Sequence, residues 1–412
     1  MLHINAYTCD KCLHMRIVTY MHICTSVLYN VKSCGVISMS EIAEETMSED
    51  PAFLTEQIIT YIGNKRSLLD FIGTAVDVVK DELGLEKLTI ADVFSGSGVV
   101  SRFFKRYARE LYVNDLEGYC ETINRCYLTD KKDVDSKSLE KVYKDIKHEL
   151  DDKPLKTGFI SELYSPKDDD DIKPGERVFF TSRNAAYIDT ARQLIEQAPE
   201  SYRVYLLAPL IYEASVHTNT SGVFKGFYKN SETGVGQFGG NGRHALQRIM
   251  ADIELKLPVF SRFSCPVHIY REDAGRLARS LPAVDMAYID PPYNQHPYGS
   301  NYFMLNLINT YKKPDKISKV SGIPSGWNKS DYNSKKTAKQ SMRDLCDNLA
   351  AKYLLISFND DGFISRDEMV DMLLSIGDVR VFDKDYNTFR GCRNLNNRSI
   401  HVKELLYLVR RT

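Results

Sequence analysis

Two short clusters in this 412-residue chain hold residue types that could do chemistry. One is Asp92-Val93-Phe94-Ser95-Gly96-Ser97-Gly98, with a further acid at Asp115. Glycines let a backbone turn sharply and approach a ligand closely. Asp115 lies 19 residues beyond Gly96, close to the ~20 at which a carboxylate meets a ribose in nucleotide-binding βαβ units. Position 101 is Ser101, so the third glycine of the dinucleotide pattern is missing. That favours S-adenosylmethionine, which needs backbone approach and a ribose acid but no phosphate cradle, over NAD. Taken alone, the cluster also fits a structural βα turn with a surface Asp.

The other cluster, Asp290-Pro291-Pro292-Tyr293, is more specific. Two prolines remove donors and fix the backbone, so they cannot sit inside a central strand. They can hold a rigid turn at a strand's carboxyl end, where open α/β sheets place their chemistry. An acid and an aromatic flanking that turn suit a flat ring carrying an exocyclic amine. Tyr293 offers a stacking face, and Asp290 and the Pro291 carbonyl offer acceptors. The competing reading is a strand-terminating turn with a packed Tyr.

These clusters need elements to position them. Leu88 to Phe94 reads as a buried strand, Val99 to Tyr107 as the start of a helix, and Leu111 to Asn114 as a second strand. Together they make a β-α-β unit with a glycine turn after its first strand. Before it, Leu68, Leu69, Ile72, Val76, Val79 and Leu83 fall on one helical face. Val284 to Ile289 leads into Asp290, and Tyr353 to Phe358 is a further strand. Ala185 to Glu196 reads as an amphipathic helix. Residues 151–176 read as a charged linker containing Asp168 to Asp171. Residues 217–244, rich in Gly, Asn, Ser and Thr, are too long for a simple connection.

With 43% hydrophobic and 26% charged residues, the chain is neither disordered nor fibrous. Its net charge of −1 is a sum over unlike segments. Residues 41–56 and Asp168 to Asp171 are acidic, whereas 312–343 and 380–412 are basic. The basic stretches, Arg390, Arg393 and Arg398 among them, suit phosphate contacts or ordinary surface charge. Nine cysteines, an odd number, are too few for a disulfide scaffold and fit a reduced, cytoplasmic protein. Cys9 and Cys12 make half a zinc pattern without a second pair, so no metal site is read. No run of about 18 apolar residues exists, and no membrane span is expected.

The two clusters together resemble the Dam-like class of N6-adenine DNA methyltransferases. Tyr61-Ile62-Gly63-Asn64-Lys65-Arg66 resembles the N-terminal segment of that family, Phe94 to Gly98 its cofactor loop, Asn114-Asp115 its ribose acid, and Asp290 to Tyr293 its catalytic turn. The 191 residues between Gly98 and Asp290 match an arrangement in which target recognition is inserted between loop and turn. Tyr288 to Leu307 and Asn387 to Arg393 are similar to the branch found in restriction–modification systems.

The resemblance implies an α/β, Rossmann-like, S-adenosylmethionine-dependent methyltransferase fold with a largely helical recognition insert. Its parts would be residues 47–150 and 265–412, with 151–264 inserted and 1–46 an extension of unknown role. It implies Tyr61, Lys65, Asp115 and Asp290 as cofactor contacts, with Phe94, Gly96 and Gly98 shaping the pocket. Asp290, Pro291, Pro292 and Tyr293 would be catalytic. Implied partners are double-stranded DNA and a cognate restriction endonuclease. N4-cytosine methylation, which often has Ser at the first turn position, and a silent DNA-binding protein of the same fold stand as alternatives.

Overall fold

The computed structural model describes residues 48–240, 242, 245–359, 362–387 and 401–411. Within the compact unit Glu49–Thr412, the backbone builds one seven-stranded sheet. Its strands are β1 (Leu88–Asp92), β2 (Ala108–Asn114), β3 (Val267–Tyr270), β4 (Val284–Ile289), β5 (Ala351–Asn359), β6 (Gly377–Asn387) and β7 (His401–Arg411). Their spatial order is β3-β2-β1-β4-β5-β7-β6. The first five run parallel to their neighbours, and β7 runs antiparallel to both β5 and β6. β1 and β4 are buried along their whole length, as central parallel strands must be when both faces are covered.

One face packs against helix α1 (Leu69–Leu83) and α2 (Val99–Phe104), where Ile72, Val76 and Phe104 meet Ile90, Met286 and Leu406. Gly84 ends α1 in the left-handed conformation at φ +63°. Elements later in the chain cover the other face, where Met342, Leu345, Met369 and Leu373 pack on Ala91, Ala287 and Leu354.

Between β2 and β3 the chain builds a helical body with its own core. It contains α3 (Gly118–Tyr127), α4 (Ser136–Asp152), α5 (Phe159–Tyr164), α6 (Ser182–Gln197) and α7 (Glu200–Val216). After β4 the chain returns to the same core with α8 (Phe303–Thr310). The expected 150/151 boundary falls in the last turn of α4, whose Leu139, Ile146 and Leu150 are buried in this core. The stretch read as a linker is ordered. Buried Asp189 accepts hydrogen bonds from the Gly158 and Ser161 amides at 2.8 Å each, fixing the start of α5. Asp169, from the acidic run, accepts the Ser182 amide at 2.8 Å at the start of α6.

The chain leaves β1 toward β2 and β3, then crosses back to β4 on the other side. A crevice therefore opens above the carboxyl ends of β1 and β4. The register pairs Asp92 with Tyr288, so Phe94 and Asp290 emerge close together at its floor. Cys120, Cys126, Cys265 and Cys346 are free and buried. Among the described residues no helix is long and apolar enough to cross a membrane.

Candidate active site

The turn after β1 is pulled tight by the Gly98 amide, which donates to the Ser95 carbonyl at 2.8 Å. Gly96 and Gly98 have φ of +51° and +77°, a region that side chains rarely adopt. The Gly96 amide donates to Asp115 at 2.8 Å, and the Glu117 amide donates to the same carboxylate at 2.9 Å. Asp115 is thus held by backbone donors at the end of β2, facing the glycine turn. Burial raises its pKa, and those amide hydrogen bonds hold it down in part. Beneath the turn, Ser101 donates to buried Asp92 at 2.5 Å. Burial pushes Asp92 up to about 7 against that hydrogen bond.

A tyrosine ladder braces the other wall. Tyr61 stacks against Tyr298, at 4.8 Å, and against Tyr302, at 4.7 Å between centroids, and those two rings lie 5.9 Å from each other. The Ile62 amide donates to the Tyr302 hydroxyl at 2.7 Å, and the Tyr298 hydroxyl donates to the Ile62 carbonyl at 3.1 Å. The segment before α1 is therefore pinned to the residues that follow the Asp-Pro-Pro-Tyr turn.

That turn sits where β4 ends. The Lys65 ammonium lies 3.3 Å from Asp290 and 2.8 Å from Glu404 of β7. Tyr293 packs edge-on against Phe358, and the Lys65 ammonium stands 5.9 Å from the Tyr293 ring centre. Together these walls line one cleft. Tyr61, Lys65, Phe94, Gly96 and Asp115 line it, together with all four residues from Asp290 to Tyr293. Gly98 does not; its α-carbon faces Asn124, whose oxygen would lie 2.8 Å from any β-carbon there. Among the described residues no His, Cys, Asp and Glu group could hold a metal ion.

Residues 61–372 match the family described as D12 class N6 adenine-specific DNA methyltransferase. The chain belongs to this family. It is similar to the type II methyltransferase M.CviAII of Paramecium bursaria Chlorella virus 1, at 29% identity over 85% of this chain and 98% of that one. It is similar to the type II methyltransferase M.NlaIII of Neisseria lactamica, at 25% identity over 86% of this chain and 100% of the other. The modification methylase StsI of Streptococcus sanguinis is 28% identical over 85% of this chain, but over only 52% of its own length.

In this adenine-specific DNA methyltransferase, several cleft residues escape the sequence reading. The basic segment 312–343 turns Asn328, Ser330, Tyr332 and Asn333 into the cleft. Tyr332 meets Phe94 edge-on at 5.2 Å, and Asn333 donates to the Asn294 carbonyl at 2.7 Å. Lys329, Lys335 and Lys336 of the same segment stay exposed. Glu117 also lines the cleft, accepts a hydrogen bond from Asn306 at 2.6 Å, and is pushed up to about 7 by burial. Its signal was weak: an acid two residues past Asp115, in a stretch with no pattern of its own. Glu404 had a usable one, a lone acid leading the apolar run Leu405 to Val409. Arg390, Arg393, Arg398 and the Cys9/Cys12 pair lie outside the described residues.

The carboxyl end of β4 is a coupled electrostatic cluster. Burial raises the Asp290 pKa, Lys65 opposes that, and Glu404 adds to it, leaving Asp290 at about 6. Burial alone would discharge Lys65, but Asp290 and Glu404 outweigh it and hold the ammonium charged.

Proposed function

We propose that this methyltransferase takes its methyl group from S-adenosylmethionine and delivers it to an adenine flipped out of double-stranded DNA at a specific site. The carrying observation is that a partly buried acid at the β4 end, Asp290, shares one cleft with Asp115 and the glycine turn. The cofactor suits the residues present. The turn brings bare backbone to the cavity at Gly96, Asp115 supplies a ribose acceptor, and no phosphate cradle is needed. Tyr61 and Phe94 would flank its adenosine. Lys65 has three hydrogens, of which two serve Asp290 and Glu404, so one remains for the cofactor's carboxylate. When bound, S-adenosylmethionine supplies an electrophilic methyl on a sulfonium.

The chain's own residues then do the rest. An adenine amine inside a duplex is out of reach, so the base must leave the stack at a cost of a few kcal/mol. Stacking on Tyr293 offsets about 1–3 kcal/mol of that. The amine's lone pair is delocalised into the ring and is a poor nucleophile. Asp290 and the Pro291 carbonyl accept its two hydrogens, favour a pyramidal nitrogen and aim the lone pair. Asp290 also takes the proton that the nitrogen sheds, for which its raised pKa suits it. Pro291 and Pro292 hold these acceptors still, and positioning and electrostatics supply the rate.

The helical body, roughly residues 151–264 with the 217–244 segment, would read the target sequence. Exposed lysines of 312–343 would contact phosphates. The kinship with modification methylases supports a cytoplasmic role as the protecting partner of a restriction endonuclease. The test is plasmid DNA from expressing cells, sequenced for modified bases. N6-methyladenine at one motif is expected, and Asp290→Ala should abolish it while S-adenosylhomocysteine still binds. Unmodified plasmid, or full modification by the Asp290→Ala variant, overturns this reading.

A further inference from the structure

The sheet places a second carboxylate behind Asp290 that the chemistry above does not use. Glu404 is only 4% exposed, on β7, opposite Asn359 in the β5 ladder. Its Oε1 accepts from the Lys65 ammonium at 2.8 Å and from the Ser357 hydroxyl at 2.8 Å. Lys65 is itself 3% exposed. Burying a second acid is costly unless it is paired, and one lysine would suffice to neutralise Asp290. The distances show what the extra acid does. Lys65 sits nearer Glu404, at 2.8 Å, than Asp290, at 3.3 Å. A lysine serving Asp290 alone would close into a tight pair and occupy the lone pairs that must receive the adenine amine. With Glu404 present, two acids share one cation and the trio keeps a net negative charge. Ser357 fixes the rotamer of Glu404, so the direction of that pull is set by β5 and β7. Other groups act on Asp290 as well. Asp92 from β1, Tyr288 of β4, and Tyr298 beyond the turn all border it electrostatically.

We propose that Glu404 is a positioning residue for methyl transfer, acting through Lys65: it draws the ammonium toward β7 and so keeps Asp290 a strong, fixed acceptor. This rests on the reading of Asp290 as the acceptor for the amine.

The test is single-turnover methyl transfer from tritiated S-adenosylmethionine to unmethylated genomic DNA, with the full-length enzyme, from about pH 5 to about pH 9. Glu404→Gln should lower the plateau rate about tenfold and move the acid limb down by about one pH unit, because Lys65 then serves Asp290 alone. Glu404→Asp should restore the position of the limb. A wild-type profile for Glu404→Gln, or a lower plateau with an unmoved limb, overturns the proposal, since a purely structural loss would not shift the limb. Binding of S-adenosylhomocysteine reports whether the variant folds. If Glu404→Gln does not fold, Ser357→Ala removes one bond to Glu404 and should move the limb the same way by a smaller amount; an unmoved limb there also overturns it. Asp290→Ala separates the two ideas. Activity in that variant sinks the acceptor reading itself, whereas an inactive Asp290→Ala beside an unaltered Glu404→Gln sinks only the role of Glu404.

Discussion

Replacing Gly96 by Ala isolates what the glycine turn does for the cofactor cleft. The new β-carbon would lie 2.8 Å from Cε1 of Tyr61, closer than such atoms approach. Tyr61 has little room to swing away, because it packs against both Tyr298 and Tyr302 and meets Tyr119 edge-on. So either the turn moves and the Gly96 amide leaves Asp115, or the tyrosine ladder breaks. A side chain in the left-handed region costs about 1–2 kcal/mol. Losing a hydrogen bond to a carboxylate costs about 1.5–3 kcal/mol, and each lost aromatic pair about 0.5–1.5 kcal/mol. The backbone strain falls on free and bound enzyme alike, so the lost hydrogen bond sets the expected affinity loss, about 1.5–3 kcal/mol or roughly tenfold to 100-fold at 1.4 kcal/mol per decade. Titration calorimetry with S-adenosylhomocysteine measures it directly. Gly84→Ala is the control: its φ is +63°, but nothing lies within 4 Å of the added carbon. That variant should lose a few degrees of Tm and no affinity. A Gly96→Ala enzyme binding within about threefold of wild type would refute this account of the turn.

Three further outcomes follow from the same geometry. Tyr293→Ala should cut methyl transfer by roughly fivefold to 100-fold, from about 1–3 kcal/mol of lost stacking, while S-adenosylhomocysteine affinity holds; unchanged turnover would remove Tyr293 from the base-binding role. Asp290 must be ionised to accept the amine, and its pKa is about 6. The transfer rate should therefore fall about tenfold per pH unit below about 6 rather than below the ordinary carboxylate value near 4. Stability should run the other way. Burial raises Asp92, Glu117 and Asp290 in the folded protein. Their contribution is full below the unfolded value near 4 and is lost as pH rises through about 6 to 7, so Tm should drop across that window. A flat Tm there would show these carboxyls to be better solvated than their burial indicates.

Much of this protein was legible locally. Continuous apolar runs gave β1 and β4 because central parallel strands bury both faces, and the period of α1 gave its inward stripe. Gly96, Gly98 and the two prolines announced their turns because few other residues tolerate those backbone shapes. What stayed hidden depends on residues far apart in sequence. Lys65 and Glu404 are 339 positions apart yet in hydrogen-bond contact. A basic stretch that reads as a phosphate-binding surface also supplies a cleft wall, since an irregular segment has no period to tell its inward residues from its outward ones. The ordered residues 151–176 were missed for a related reason. Charged side chains usually seek water, and only the folded chain shows Asp169 and Glu176 turned onto backbone amides.

The amino-acid sequence by itself determined the chemistry available: an acid and an aromatic on a rigid turn, an acid at the end of the next strand, and a glycine turn between strand and helix. These are properties of adjacent residues, so they survive without knowledge of the fold. Tertiary structure alone decided how far the Asp290 carboxyl is held from its ordinary pKa. The pKa of Asp290 depends on burial at the end of β4 and on a cation shared with β7, and those groups meet only when β7 inserts between β5 and β6. Long-range electrostatics is set by distance in space, which local sequence does not encode.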